Sequence, residues 1–106
     1  AGKQIEGVVL KKVPVVVIED LISTGKSSLN AVETLQKNNI DVLGVFAIFS
    51  YGLEVAKSNF EKANQKFYSL SDFSTLVECS KKHIGISQDD LDKVNNWKKN
   101  PTNWIV

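Results

Sequence analysis

The chain lacks most of the parts from which common sites are assembled. Cysteine occurs once, at Cys79, so neither an intrachain disulfide nor a multi-cysteine metal centre can form. One lone thiol points to a reducing cytoplasm rather than an oxidising compartment. His83 is the single histidine. It sits beside Ile84 at an expected helix end, where it reads as a partner of the helix dipole rather than a catalytic base. Apolar runs such as Val13 to Ile18 fall far short of the roughly 20 residues that cross a bilayer. A net charge of +1 gives no electrostatic footprint for nucleic acid or an anionic membrane. No internal repeat, low-complexity segment or linker is present, and 106 residues make one domain at most. The chain starts at Ala1-Gly2-Lys3 without Met or an apolar signal segment, which reads as part of a longer chain.

What is present is ordinary globular composition, 42% hydrophobic and 24% charged, arranged in alternating patterns. Val15 to Ile18 is a continuous β-branched run without apolar/polar alternation. Such a run predicts a strand covered on both faces, as in a parallel sheet with helices on each side. Pro14 suits the start of that strand, where its missing donor does no harm. From Ser27 or Ser28 the spacing turns helical, with Leu29, Val32 and Leu35 on one side, until Asn38-Asn39 offers a left-handed cap.

Val42 to Phe49 is a second apolar strand, in which Gly44 suggests close backbone approach. Leu53, Ala56, Phe60 and Ala63 give the next helix its apolar side, and Lys66 to Leu70 a short third strand. Ser71 or Asp72 can cap a helix carrying Phe73, Leu76 and Val77, with Cys79 expected as a small packing residue in it. Ser87 with Asp90 forms a capping pattern that opens a last helix over Gln88 to Lys98, and Pro101 stops it. The tail Trp104-Ile105-Val106 is apolar. Strands alternating with amphipathic helices give an α/β, three-layer architecture: a mainly parallel, Rossmann-like sheet with flanking helices. Three strands make a thin sheet, consistent with a partial domain.

The chemistry concentrates in Val15 to Ser28, VVVIEDLISTGKSS. In an open parallel sheet, ligands sit beyond the carboxyl ends of the strands. Ser23, Thr24, Ser27 and Ser28 bring hydroxyls there, Gly25 a flexible backbone, and the helix start a set of N–H groups aimed at an anion. A phosphate monoester fits, with Lys26 adding a full charge. Glu19 and Asp20 would repel that phosphate but suit neutral sugar hydroxyls, which carboxylates accept through charge-assisted bonds. Phosphate on the loop and hydroxyls on the acids amount to a grip for ribose 5-phosphate. Gly25-Lys26-Ser27 matches the end of a triphosphatase loop, but that motif needs glycine where Asp20 stands. No glycine triplet for a dinucleotide follows the strand either. The plainer alternative is a turn with a helix cap and no ligand.

This stretch resembles the 5-phosphoribosyl 1-diphosphate (PRPP) signature of the type I phosphoribosyltransferases. Gln4-Ile5-Glu6-Gly7, Val42 to Tyr51 and the ending Trp97 to Trp104 are similar to the orotate phosphoribosyltransferases in particular. The resemblance covers essentially the whole chain and implies the C-terminal half of that single domain, residues 1–106, starting just after the family's mobile catalytic loop. It implies transfer of ribose 5-phosphate from PRPP to N1 of orotate, giving orotidine 5'-monophosphate and pyrophosphate in pyrimidine biosynthesis. Carried over by position, Glu19 and Asp20 would hold the ribose hydroxyls and favour developing positive charge. The PRPP site would run through Leu21, Ile22, Ser23, Thr24, Gly25, Lys26 and Ser27, with Ser23 touching orotate.

Magnesium would ride on the pyrophosphate, and the full-length enzyme would be a cytoplasmic homodimer. Two departures stand out: Glu19 replaces the commoner aspartate, and Tyr51 stands about where some orotate enzymes have an arginine. The basic mobile loop and the pyrophosphate loop of the family's first half have no counterpart here, so the expectation is weak PRPP binding and no turnover by this half alone. A purine-type phosphoribosyltransferase half and a non-catalytic PRPP-sensing regulator are the alternatives. The near-neutral charge speaks against the nucleic-acid surface a regulator would want.

Overall fold

The computed structural model describes Gly7, Leu10 and residues 12–103. The lead-in Gln4 to Glu6 and the tail Trp104 to Val106 therefore lie outside the described residues. Strand β1 (Val15–Ile22), helix α1 (Lys26–Lys37), strand β2 (Val42–Ser50), helix α2 (Glu54–Lys62) and strand β3 (Phe67–Asp72) follow in order. Helix α3 (Phe73–Cys79), a π-turn (Ser80–Ile84), helix α4 (Gln88–Lys99) and a 3-10 turn (Pro101–Asn103) complete them. The sheet is parallel with strand order β1-β2-β3.

The caps behave as the sequence suggests. Asn39 takes a left-handed φ of 61° just beyond α1. The Asp72 carboxylate accepts from Thr75 N at 2.8 Å to open α3, and Ser87 Oγ accepts from Asp90 N at 3.2 Å to open α4. Gly44 has a different role from the close approach its sequence context suggests. It sits where the β1–β2 pairing shifts, with Val15 opposite Val42 and Val16 opposite Gly44. A side chain there would meet Lys66 O at an ordinary 3.5 Å.

Ile22, Val32, Val42, Val45, Ala47, Ala56 and Phe60 form the core between the sheet and the first two helices. Val15 and Val17 pack against it, whereas Val16 and Ile18 are exposed. The expectation of a strand covered on both faces is thus not met among the described residues: one face is covered and the other open. The reason is topological. Right-handed crossovers taken in one direction along the sheet, from β1 to β2 to β3, put both crossover helices on the same side.

Two strands run longer than their apolar cores. β1 continues through Glu19 and Asp20 to Ile22, because Glu19 pairs with Ala47, Leu21 with Phe49 and Ile22 with Ser50. β3 ends at Asp72 rather than Leu70. Cys79 closes α3 but is exposed, so it is not the packing residue expected from sequence. No described helix is long and apolar enough to cross a membrane.

Candidate functional site: a phosphate loop facing a lysine-bearing helix end

The strand run ends at Ile22, whose side chain is 1% exposed, and Tyr51 N donates to Ile22 O at 3.1 Å. That anchors the point from which Ser23, Thr24 and Gly25 turn into α1. The turn is held from below by Asn59 of α2, whose Nδ2 donates to Thr24 O at 3.0 Å. Lys26 N donates to Thr24 Oγ1 at 3.4 Å, and Leu29 N to Gly25 O at 2.9 Å.

Gly25 adopts φ 83°, a left-handed conformation, as the residue before the helix. It supplies no capping side chain. The N–H groups that open an α-helix lack intrahelical partners, and with the helix dipole they form a ready anion site. The Ser27 and Lys26 side chains are exposed around it, while Ser28 is buried beneath.

Glu19 and Asp20 do not follow the strand, as the sequence pattern suggested; they lie within it. Burial alternates from Val15 to Asp20, with Glu19 half-buried and Asp20 exposed, and then breaks at exposed Leu21 and buried Ile22. Successive strand side chains leave on opposite faces, so the two acids start from opposite sides of the sheet. The strand end and turn separate them from the loop: Leu21 and Ile22 intervene before Ser23.

One wall of the site carries no local signature in the sequence. Thr24 and Lys26 line a cleft of about 880 Å³ that also takes in Gly52, Leu53, Glu54, Asn95, Lys98 and Lys99. The C-terminal turn of α4 therefore faces the loop across the carboxyl ends of the strands. Aromatic packing seats it: Trp97 lies 5.0 Å from Tyr51 and 5.7 Å from Phe73, ring centre to ring centre. Lys98 Nζ stands 5.8 Å from the Phe73 ring centre and 3.4 Å from Ser74 Oγ. Asp72 is held below the ordinary carboxylate value of 3.8, first by the Thr75 backbone N–H, then by the Thr75 hydroxyl; slight desolvation opposes this, and Lys98 adds a favourable charge. Tyr51 is thus part of an aromatic seat rather than a free base contact. Every cation of the 13 Lys and Arg is a lysine, so no bidentate guanidinium is on hand.

His83 and Cys79 lie outside this cleft, His83 exposed in the π-turn. Among the described residues no group of three or more His, Cys, Asp and Glu could hold a metal ion.

A three-stranded parallel sheet, acids near the strand end, a Ser-Thr-Gly-Lys loop and flanking helices are the features of a type I phosphoribosyltransferase, seen here as a partial domain. Similar solved structures agree. The UMP synthase of Leishmania donovani matches with a TM-score of 0.74 at 25% identity, over 87% of this chain and 20% of that one. The orotate phosphoribosyltransferase of Mycobacterium tuberculosis in complex with PRPP matches with a TM-score of 0.62 at 27% identity, over 70% and 44%. Within that class the chain is a relative of the orotate phosphoribosyltransferases. It is 48% identical over 103 residues to the one from Bacillus caldolyticus, covering 97% of this chain and 50% of the relative. The chain therefore spans about half the length of the curated relatives it matches. No family model matches it.

Proposed function

We propose that residues 1–106 are the PRPP-gripping, C-terminal half of an orotate phosphoribosyltransferase domain. The reaction would transfer ribose 5-phosphate from PRPP to N1 of orotate: the bond from C1 to the pyrophosphate oxygen breaks, the N1–C1 bond forms as N1 gives up its proton to solvent, and pyrophosphate leaves. The observation that carries this reading is the loop at Ser23–Gly25, pinned by Asn59 and opening into α1, in a chain of this kinship.

In this reading Thr24, Gly25, Lys26 and Ser27 take the 5-phosphate through N–H groups, hydroxyls and the Lys26 ammonium. Leu21 and Ile22 fix the strand end from which they hang. Glu19 and Asp20 accept hydrogen bonds from the ribose hydroxyls, and their charge favours the oxocarbenium-like centre that develops at C1. Ser23, at the loop's first position, is the proposed orotate contact. Lys98 and Lys99 add positive potential on the opposite wall, either for the substrate phosphate or for the orotate carboxylate.

Magnesium would ride on the pyrophosphate, taking most of its oxygens from substrate and water. A homodimer and a reducing, cytoplasmic setting belong to the same reading, the latter resting on the single cysteine. The half alone binds PRPP weakly and turns nothing over.

Titration calorimetry of the chain with PRPP and magnesium, beside ribose 5-phosphate, tests the reading. Binding of both, abolished by reversing the charge at Lys26, is the expected result. No heat with either ligand, or orotidylate formed by the isolated chain, would overturn it.

A further inference from the structure

Asn59 reaches the loop from α2, 35 residues further along the chain, where its Nδ2 donates to Thr24 O at 3.0 Å. A trans peptide is planar, with its C=O and N–H on opposite sides, and no described peptide bond is cis. One bond therefore orients two groups: it turns the Thr24 carbonyl toward α2 and the Gly25 N–H away from it. Phe60, the next residue of α2, closes the same side, with Cε2 standing 2.5 Å from where a Cβ on Gly25 would be.

Little else holds that plane. Gly25 sits at φ 83° and ψ 0°, and glycine populates either sign of φ about as readily. Turning the Thr24–Gly25 peptide over moves φ to the negative side at little cost. Helix α1 does not resist the turn, because Leu29 N bonds to Gly25 O, which belongs to the following peptide. The 3.4 Å contact from Lys26 N to Thr24 Oγ1 involves the side chain and leaves the carbonyl free to rotate.

We propose that Asn59 is a positioning residue for the bound anion. It keeps the loop in the orientation that offers the Gly25 N–H and excludes the one that presents the Thr24 carbonyl oxygen instead. This role rests on the loop's reading as a phosphate site, and it places control of that site in a side chain outside the loop. The flipped peptide exchanges a donor for a partial negative charge, so affinity falls with the fraction of chains that occupy it. An apolar side chain in place of the amide leaves a half-buried carbonyl without a partner, a penalty that the flip relieves.

The test is a nuclear magnetic resonance titration of the labelled chain with ribose 5-phosphate and with inorganic phosphate. Asn59→Leu, with unchanged circular dichroism, should weaken ribose 5-phosphate about tenfold, and Asn59→Ala, which admits water beneath the carbonyl, about threefold. Asn59→Gln keeps the amide donor and should bind within about twofold of wild type. Without ligand, the Gly25 amide resonance should be sharp in the wild-type chain and shifted or exchange-broadened in Asn59→Leu. Ser58→Ala, beside it on α2, should change neither readout. Asn59→Leu binding as wild type does overturns the proposal. So does an equal loss in Asn59→Leu and Asn59→Gln with the Gly25 resonance unmoved, which would leave the bond a packing role only. A wild-type chain that binds neither ligand marks failure of the phosphate reading, and the proposal falls with it; wild-type binding with indifferent variants marks failure of the proposal alone.

Discussion

Gly25 offers the sharpest test of how the loop is built, because two independent penalties meet there. Its φ of 83° is left-handed, and a Cβ added to it would stand 2.5 Å from Phe60 Cε2 and 3.1 Å from Cδ2. Phe60 cannot easily give way: it is 1% exposed and lies 4.4 Å, centre to centre, from the Phe67 ring. An L-residue forced left-handed loses about 1–2 kcal/mol, and overpacking a tight core costs about 1–3 kcal/mol. Restricting the unfolded chain returns about 0.4–1 kcal/mol. Gly25→Ala should therefore destabilise by about 2–3 kcal/mol, a large share of the roughly 5–15 kcal/mol typical of a domain.

Gly85 provides the internal control. It is also left-handed, at φ 71°, but an added Cβ there meets nothing within 4 Å. Gly85→Ala should lose only about 0.5–1 kcal/mol. Urea unfolding by far-ultraviolet circular dichroism separates the two, since slopes of about 1–3 kcal/mol per molar turn the larger loss into a midpoint shift of roughly 1–2 M. Equal losses for both variants would mean that Phe60 does not buttress the loop. A Gly25→Ala midpoint at the wild-type position would refute the whole account.

The remaining predictions concern charges and caps. Lys26→Ala should lower affinity for ribose 5-phosphate about tenfold, the lower end for a bond to a charged group at an exposed site, with the urea midpoint unchanged. Calorimetry checks both halves of that statement. Lys98→Ala should cost several-fold in the same titration, more at low salt than at high, and Lys98→Arg should restore it; salt-independent loss would assign Lys98 to packing instead. Ser87→Ala should remove about 1 kcal/mol of stability by stripping the α4 cap, read from the same unfolding curves. The carboxyl of Asp72 has its folded pKa depressed, so the stability it lends is present above its unfolded value near 3.8 and is lost as pH falls below that and through the folded value. Asp72→Asn keeps a capping oxygen and should flatten this acid limb of the unfolding midpoint; an unchanged limb would count against the cap.

Much of this was legible because it is local. Strand β2, the helix beginning at the loop, the Asn39 terminator and the caps at Asp72 and Ser87 follow from residue period, backbone preference and side-chain acceptors within four residues. What was not legible depends on partners distant in sequence. Asp and Glu are poor strand residues, yet Glu19 and Asp20 stay in β1 because Glu19 pairs with Ala47 and the flanking pairs Ile18–Phe46 and Leu21–Phe49 hold the ladder on either side of them. The run Val15 to Ile18 advertises burial on two faces, and sequence alone does not say which polypeptide provides the second cover. Lysines at 98 and 99 look like ordinary helix-end charges; only the docking of Trp97 on Tyr51 and Phe73 turns them toward the loop.

On the proposed reading, electrostatics accounts for where the acids and the Ser23–Gly25 loop sit. At an effective dielectric of about 20, two like charges 4 Å apart repel by about 4 kcal/mol, and doubling the distance halves that. An acid placed inside the turn would therefore offset most of what one charge-assisted phosphate contact contributes, about 1.5–3 kcal/mol. Keeping Glu19 and Asp20 in the strand, with Leu21 and Ile22 between them and the turn, removes the close contact while leaving both carboxylates near the strand end. Lys26 and Lys98 both line the cleft, together with Lys99 and the carboxylate of Glu54. On the proposed reading a bound ligand is negative at one end and hydroxyl-bearing at the other. A free phosphate satisfies only the loop and a free ribose only the acids, so ribose 5-phosphate should bind more tightly than either. A phosphate that bound as well as the sugar phosphate would show that the acids take no part.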